Sequence, residues 1–302
     1  MSTIVESVET LNCLHCGYVS EVTLSFCESC GRPLHAVRAV CASDVAAYAT
    51  HPGQKHSENQ DAVGVAPIGN GVALAISDGV STACRSRAAA RLAVDVVLAQ
   101  LQTEPREGET TLDRMNRALS RVHENVCSIP YDDPELSEPQ CTIVAGLVEE
   151  NVLTVGWAGD SRLYIVNASC CRQVTVDDSW INDQVKLGVP KQIAMQSKDA
   201  HCITQCVGMR DDAPEFHIDQ VRLAQGDLVL LCSDGLWNYA ESEKEMFALV
   251  RSGLNRLSAD GATRVQQCAA LVEAMVNFAN AAGGHDNISV CGYLHEGFDS
   301  LS

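Results

Sequence analysis

Two periodicities alternate along most of this chain. Short, nearly continuous apolar runs at residues 72–77, 141–148, 152–157, 163–166, 228–232 and 288–294 are rich in Val, Ile and Leu, and predict buried strands. Residues 85–101, 112–127, 244–251 and 263–281 carry apolar side chains at helical spacing on good helix formers. Several strands are separated only by short turns, so the sheets are expected to be antiparallel with helices outside them. That is an α+β architecture in layers. Residues 129–139 and 177–200 follow neither period and read as loops.

The first 36 residues have a different texture. Cys13 and Cys16 form one C-x2-C, and Cys27 and Cys30 form a second ten residues later. Each pair can set two thiolates on one tight turn, with Gly17 and Gly31 giving the backbone room just after it. Two such turns facing each other supply a tetrahedral set of soft ligands suited to one Zn²⁺. Four thiolates leave no open position, so the zinc is expected to be structural. A segment this short has little core, and metal binding would supply its folding energy. Residues 18–26 are long enough for a short hairpin between the pairs, while His15 and His35 read as solvent-facing neighbours. We therefore expect a zinc ribbon over 1–36, a possible docking module for a protein partner, and a larger domain over 37–302.

Composition narrows the function classes. The chain has 302 residues, long enough for a sizeable core, and a formal net charge of −18. Such a surface repels phosphate backbones, so a nucleic-acid partner is disfavoured. No run of about 18 apolar residues occurs, and no basic segment leads into an apolar one near the start. The expectation is a cytoplasmic protein with no membrane span. The remaining cysteines, of fifteen in all, mostly sit beside apolar residues and read as small core side chains.

The chemistry is concentrated in aspartates at strand ends. VALAISDGV at 72–80 and LVLLCSDGL at 228–236 each run a buried strand into Ser-Asp-Gly, placing Asp78 and Asp234. A rigid strand fixes the carboxylate, and the following glycine allows a sharp turn that exposes a carbonyl. Asp160 lies in a tight turn between two strands, Asp286 directly precedes a strand in GGHDNISV, and Asp61 precedes one in HSENQDAVGV. One turn aspartate is ordinary. Five, far apart in sequence, can converge at one sheet edge, where they repel each other unless cations intervene. Oxygen-only ligands favour Mg²⁺ or Mn²⁺.

The series NQDA at 59–62, SDG at 77–79, GDSR at 159–162, SDGLW at 233–237 and GHDN at 284–287 resembles the metal-dependent (type 2C) protein serine/threonine phosphatases, in order, over roughly residues 40–295. The resemblance implies a central antiparallel β-sandwich flanked by helices, with two metal ions at one edge. It implies phosphoserine and phosphothreonine proteins, products of serine/threonine kinases, as substrates. Asp78 would bridge both metals and Gly79 would offer its carbonyl to one, while Asp234 and Asp286 hold the other. Asp61 would sit beside the first, and Asn287 would orient its neighbours. Asp160 would help bind a third, weaker metal, although a plain hairpin-turn aspartate fits equally. The stretch 175–188 corresponds to a flap beside the site, in which Trp180 would pack or meet substrate.

Three positions depart from the common pattern. Gln60 replaces a glutamate, His56 stands where several relatives have a phosphate-holding arginine, and Val80 replaces a histidine proposed as general acid. His56, or Lys55 beside it, could contact the phosphate, or the two could be a solvent-exposed basic pair. Asn238 stands where an aspartate joins the third metal, so that site is expected to be weak; capping of a helix starting near Glu241 is the plainer role for Asn238. The expected reaction is attack on phosphorus by a water that two metals activate. The competing expectation is a catalytically weak or inactive regulatory protein on the same fold.

Overall fold

The structure is a computed structural model that describes residues 10–12, 16, 18–21, 26–31, 39–41, 45–69, 71–132, 137–200, 202–255 and 263–297. In chain order the strands are β1 (Thr10–Asn12), β2 (Val19–Glu21), β3 (Val40–Cys41), β4 (Ala46–His51), β5 (Ala62–Ile68) and β6 (Gly71–Ser77). Helices α1 (Ser86–Gln102) and α2 (Thr111–Cys127) follow, then β7 (Ile143–Glu149), β8 (Val152–Ala158), β9 (Arg162–Val166) and β10 (Cys171–Gln173). Helices α3 (Trp180–Lys186) and α4 (Lys191–Ala194) lead to β11 (His217–Arg222) and β12 (Leu228–Cys232). The chain then forms α5 (Asp234–Trp237), α6 (Glu243–Asn255), α7 (Arg264–Ala282) and β13 (Ile288–Leu294).

Two antiparallel sheets face each other. One has the order β11-β8-β7-β6-β5 and the other β10-β9-β12-β13-β4-β3. The side chains explain the layers. Along β6, Val72, Leu74 and Ile76 point between the sheets, while Ala73 and Ala75 face α1 and meet its own Ala89, Ala90 and Ala93. Strand β12 alternates likewise, with Val229 and Leu231 between the sheets and Leu228 and Leu230 against α7. Burial on both faces is why these strands read as continuous apolar runs. The result is helix, sheet, sheet, helix, the expected α+β sandwich.

The strand and helix expectations agree with the structure to within a residue or two, except that α6 extends four residues further, to Asn255. The stretch 177–200, expected as loop, contains α3 and α4. Both are too short to show a helical period in the sequence. The N-terminal hairpin also differs: β1 pairs with β2 through Leu11↔Ser20, so a hairpin precedes residues 22–26 and Cys16 lies between its two strands. Among the described residues no helix is long and apolar enough to cross a membrane.

Candidate functional site

All five strand-end aspartates come to one edge of the sandwich. Asp78 follows β6 and Asp61 precedes β5, whose ends pair through Ala62↔Ser77. Asp160 follows β8, Asp234 follows β12, and Asp286 precedes β13. Their charges act on one another. Asp78 is held protonated well above the usual carboxylate range, by burial first and then by Asp61, Asp234, Asp160 and Asp286. Burial and neighbouring carboxylates push Asp61 up to about 7 and Asp160 up to about 8. Asp234 rises to about 6, with burial and Asp286 as the main causes.

Each aspartate is anchored through its backbone or one oxygen, leaving the rest available. The Ser233 hydroxyl donates to Asp61 Oδ2 at 2.7 Å and accepts from the Ser289 N–H at 3.0 Å. The Asp78 N–H donates to Thr142 Oγ1 at 3.0 Å, and the Thr142 N–H donates back to the Asp78 carbonyl at 2.8 Å. Asn287 spans the edge. Its Oδ1 accepts from the Gln60 N–H at 2.7 Å, and its amide donates to the Pro52 and Glu58 carbonyls.

Two observations fit this donor set to divalent cations. Asp61 Oδ1 and Asp234 Oδ1 are buried with no hydrogen-bond partner, a costly state for carboxylate oxygens unless a cation meets them. Gly79 is closely walled: a Cβ there would lie 2.8 Å from the Ser86 carbonyl and 2.9 Å from that of Gln60. No side chain can therefore intrude beside the carbonyl that follows Asp78.

The Gly159-Asp160 turn is gripped from behind. Gly159 has φ +106°, and a Cβ would meet Thr142 at 2.7 Å, so only glycine fits. Its N–H donates to Asp178 Oδ2 at 2.9 Å, while Asp178 Oδ1 faces His217 Nε2 at 2.8 Å. The His217 ring stacks on Trp157 at 5.1 Å. On the other side, the Trp237 indole N–H donates to the Asp160 carbonyl at 3.0 Å. Arg162 lies over that indole at 3.7 Å and pairs with Asp177 at 2.6 Å.

His56 reaches the edge: Nε2 is 3.1 Å from the His285 carbonyl and 3.5 Å from Asp286 Oδ1. A cavity of about 230 Å³ is lined by Gly235, Asn238, Tyr239, His285 and Asp286. Asn238 caps no following helix, because Ser242 and Glu245 exchange bonds at the start of α6. Asn238 instead points its amide N–H at Asp234 Oδ2, 3.3 Å away.

In the N-terminal segment, Cys16, Cys27 and Cys30 bring their Sγ atoms within 4.8 Å of one another, with Cys16 and Cys27 at 3.6 Å. Cys13 lies outside the described residues. Burial opposes ionisation of Cys27, yet backbone bonds at Cys30 and Ser29 and the Cys16 thiol leave its pKa below the ordinary value.

Thr142, Ser233, Ser289, Asp178 and His217 were not singled out from the sequence. Ser233 carried a signal, since Ser precedes Asp-Gly at both strand ends; the others are joined only by the fold.

A sandwich with a carboxylate-lined edge and orphaned oxygens has the donor set of a divalent-cation site. The family model "Protein phosphatase 2C" matches residues 50–274, well over half of the chain, and the chain belongs to that family of serine/threonine phosphatases. Protein phosphatase PhpP of Streptococcus pneumoniae is 28% identical over 249 residues, covering 80% of this chain and 93% of that one. The phosphatase MsPP from Mycobacterium smegmatis, solved with cacodylate, superposes with a TM-score of 0.64 at 26% identity, over 84% of this chain and all of that one (100%). The catalytic domain of PstP, solved with 2 manganese ions, gives a TM-score of 0.63 at 20% identity, over 86% and 100% of the two chains; it supports the fold.

Proposed function

We infer that the chain hydrolyses phosphoserine and phosphothreonine in proteins, with Asp61, Asp78, Asp234, Asp286 and the Gly79 carbonyl holding two Mg²⁺ or Mn²⁺ ions. The observation that carries this is the pair of buried, unpartnered oxygens on Asp61 and Asp234 within a cluster of mutually repelling carboxylates. When bound, the ions supply an activated water and offset phosphoryl charge. The protein's own part is placement. Thr142 and Ser233 fix the positions of Asp78 and Asp61, and Asn287 ties the 52–60 loop to the Asp286 turn. We assign contact with a substrate phosphate to His56, a reading supported by its position 3.5 Å from Asp286. Val80 has no proton to give, so the leaving alkoxide is protonated by solvent at the site. Asp160, with Asn238, would contribute to a weaker third site.

The cysteines support a structural zinc. Tetrahedral thiolates at about 2.3 Å from Zn²⁺ stand roughly 3.8 Å apart, close to the 3.6 Å between Cys16 and Cys27. Cys30 fits the same shell, and Cys13 is the proposed fourth ligand. The domain division is 1–36 and 37–302, with the ribbon as a docking module and the cytoplasm as the compartment.

The test is hydrolysis of a phosphothreonine peptide by the purified chain with Mn²⁺. Turnover that chelation abolishes is the expected result; a folded, metal-loaded protein without turnover would favour a regulatory role.

A further inference from the structure

The segment between Asp178 and Ile203 is unlike the rest of the surface. The chain has five lysines and a net charge of −18, yet Lys186, Lys191 and Lys198 fall within this one segment. Lys186 makes only a long exposed contact of 3.4 Å to Asp183. Lys191 and Lys198 are exposed and meet no carboxylate among the described residues. The same stretch is apolar at its surface. Of the eleven large hydrophobic side chains exposed among the described residues, Val185, Leu187, Ile193 and Met195 lie here, and Leu187 is 77% exposed. Residues 185–198, which show three lysines, no carboxylate and bare hydrophobics on an acidic protein, are a recognition surface more readily than a solubilising one.

Its location points the same way. The segment leaves and returns at a root beside the carboxylate edge. Asp178 exchanges bonds with Gly159 at 2.9 and 3.0 Å, Ser179 bridges Ile203, and the Trp180 N–H donates to the Cys202 carbonyl. Helix α3 adds about 10 Å of reach from that root, so the lysines stand on the order of 10–20 Å from Asp160. Extended peptide advances about 3.3 Å per residue, which corresponds to roughly three to six residues from a phosphorylated side chain at the edge. Every substrate of this reaction brings a phosphate dianion towards an acidic protein. Lys186, Lys191 and Lys198 are the nearby charges of opposite sign in this stretch, and they oppose that repulsion.

Resting on the phosphatase reading above, we propose that residues 185–198 form the substrate-docking surface. It selects phosphoproteins with acidic residues about three to six positions from the phosphorylated residue, flanked by an apolar side chain. The lysines meet the acids, and Leu187 and Ile193 cover the apolar flank.

The experiment compares two phosphothreonine peptides that differ only in glutamate against alanine at those positions, with p-nitrophenyl phosphate as a small control. In the Mn²⁺-loaded full chain, kcat/KM should favour the acidic peptide about 5-fold at low salt, as expected for two or three exposed ion pairs. Raising the salt to about 0.5 M should erase most of the preference. Lys191→Glu with Lys198→Glu should reverse it while leaving p-nitrophenyl phosphate turnover unchanged. Leu187→Ser with Ile193→Ser should raise KM for both peptides alone. Equal kcat/KM for the two peptides, or a preference that survives charge reversal, would overturn the docking surface while the phosphatase reading stands. A dimer that the same charge reversal dissociates would assign the face to a second copy and overturn it too. Absence of turnover on all three substrates would overturn the phosphatase reading, and the docking surface with it.

Discussion

At the sandwich edge, five aspartates are held by strand ends that a two-sheet core fixes in place. In the N-terminal segment, three cysteines come together where, among the described residues, only Ser20 and Cys27 are buried. The first arrangement is positioned by the strands themselves, and burial and mutual repulsion make it a strained one. The second has, among the described residues, only a two-stranded hairpin beside it, and the proposed zinc would be what folds it. A metal can thus be a guest of one region and a structural element of another. Function follows the distinction: a preformed site can leave ligand positions open for chemistry, whereas a site that must fold its own surroundings closes its shell.

The sharpest break in this comparison is substitution at the edge. Asp78→Ala or Asp234→Ala should lower turnover by about 100- to 1,000-fold. The fold should survive, and metal-free stability should rise, because Asp78→Ala removes a carboxyl that burial keeps from ionising and Asp234→Ala removes a repelling charge. Loss of folding in a thermal melt would show that the edge is not preformed.

Next in size is the effect expected at the proposed ribbon. Cys27→Ser should take bound zinc from one per chain to none by elemental analysis and expose the N-terminal segment to protease. Turnover of p-nitrophenyl phosphate should not change. Zinc-independent protease resistance of that segment would place it with the edge as a preformed region.

The third test uses pH. Asp61, Asp160 and Asp234 have folded pKa values of about 7, 8 and 6, all raised from 3.8. The folded chain therefore holds more protons than the unfolded chain between about pH 4 and 8, so metal-free stability falls as pH rises through that window. The melting temperature should drop by several degrees from about pH 5.5 to 8, and Mn²⁺ should restore it. A flat profile without metal would mean that the carboxylates are not strained.

The smallest effect is expected at Asn238. Its amide N–H points at Asp234, so it brings a donor where a cation needs an oxygen. Asn238→Asp should lower the Mn²⁺ concentration for half-maximal turnover by a few-fold and add a metal in anomalous-scattering maps. A third metal already bound at modest Mn²⁺ by the unaltered chain would remove the distinction between the two residues.

The sequence carried the aspartates because each sits in a local motif, a buried strand running into a turn. It carried the layers because β6 and β12 are buried on both faces. What it hid is non-local or locally ambiguous. Thr142 serves Asp78 from 64 residues away, and Asp178 reaches both Gly159 and His217, so no window contains them together. Strand β11, HIDQVR, is half polar because it edges its sheet, and α3 is shorter than two turns. The cysteine pairs are legible as a spacing, but the hairpin beside them is β1–β2, which begins ahead of the stretch 18–26 whose length suggests one. Polar β1 residues give no strand signal.

Asn287 carries a consequence for how far this scaffold can be varied. Its side chain uses one acceptor and both amide hydrogens on three backbone groups, Gln60, Pro52 and Glu58. Aspartate has the same shape but no hydrogens to give, and it would turn two attractions into repulsions between oxygens. Glutamine has the right groups one methylene too far out. Histidine offers at most two nitrogens, pointed apart. The position therefore admits one residue type, and drift elsewhere in the 52–60 loop must be absorbed without moving those two carbonyls. A designer seeking new specificity has freedom along the lysine-bearing segment, but almost none at this amide.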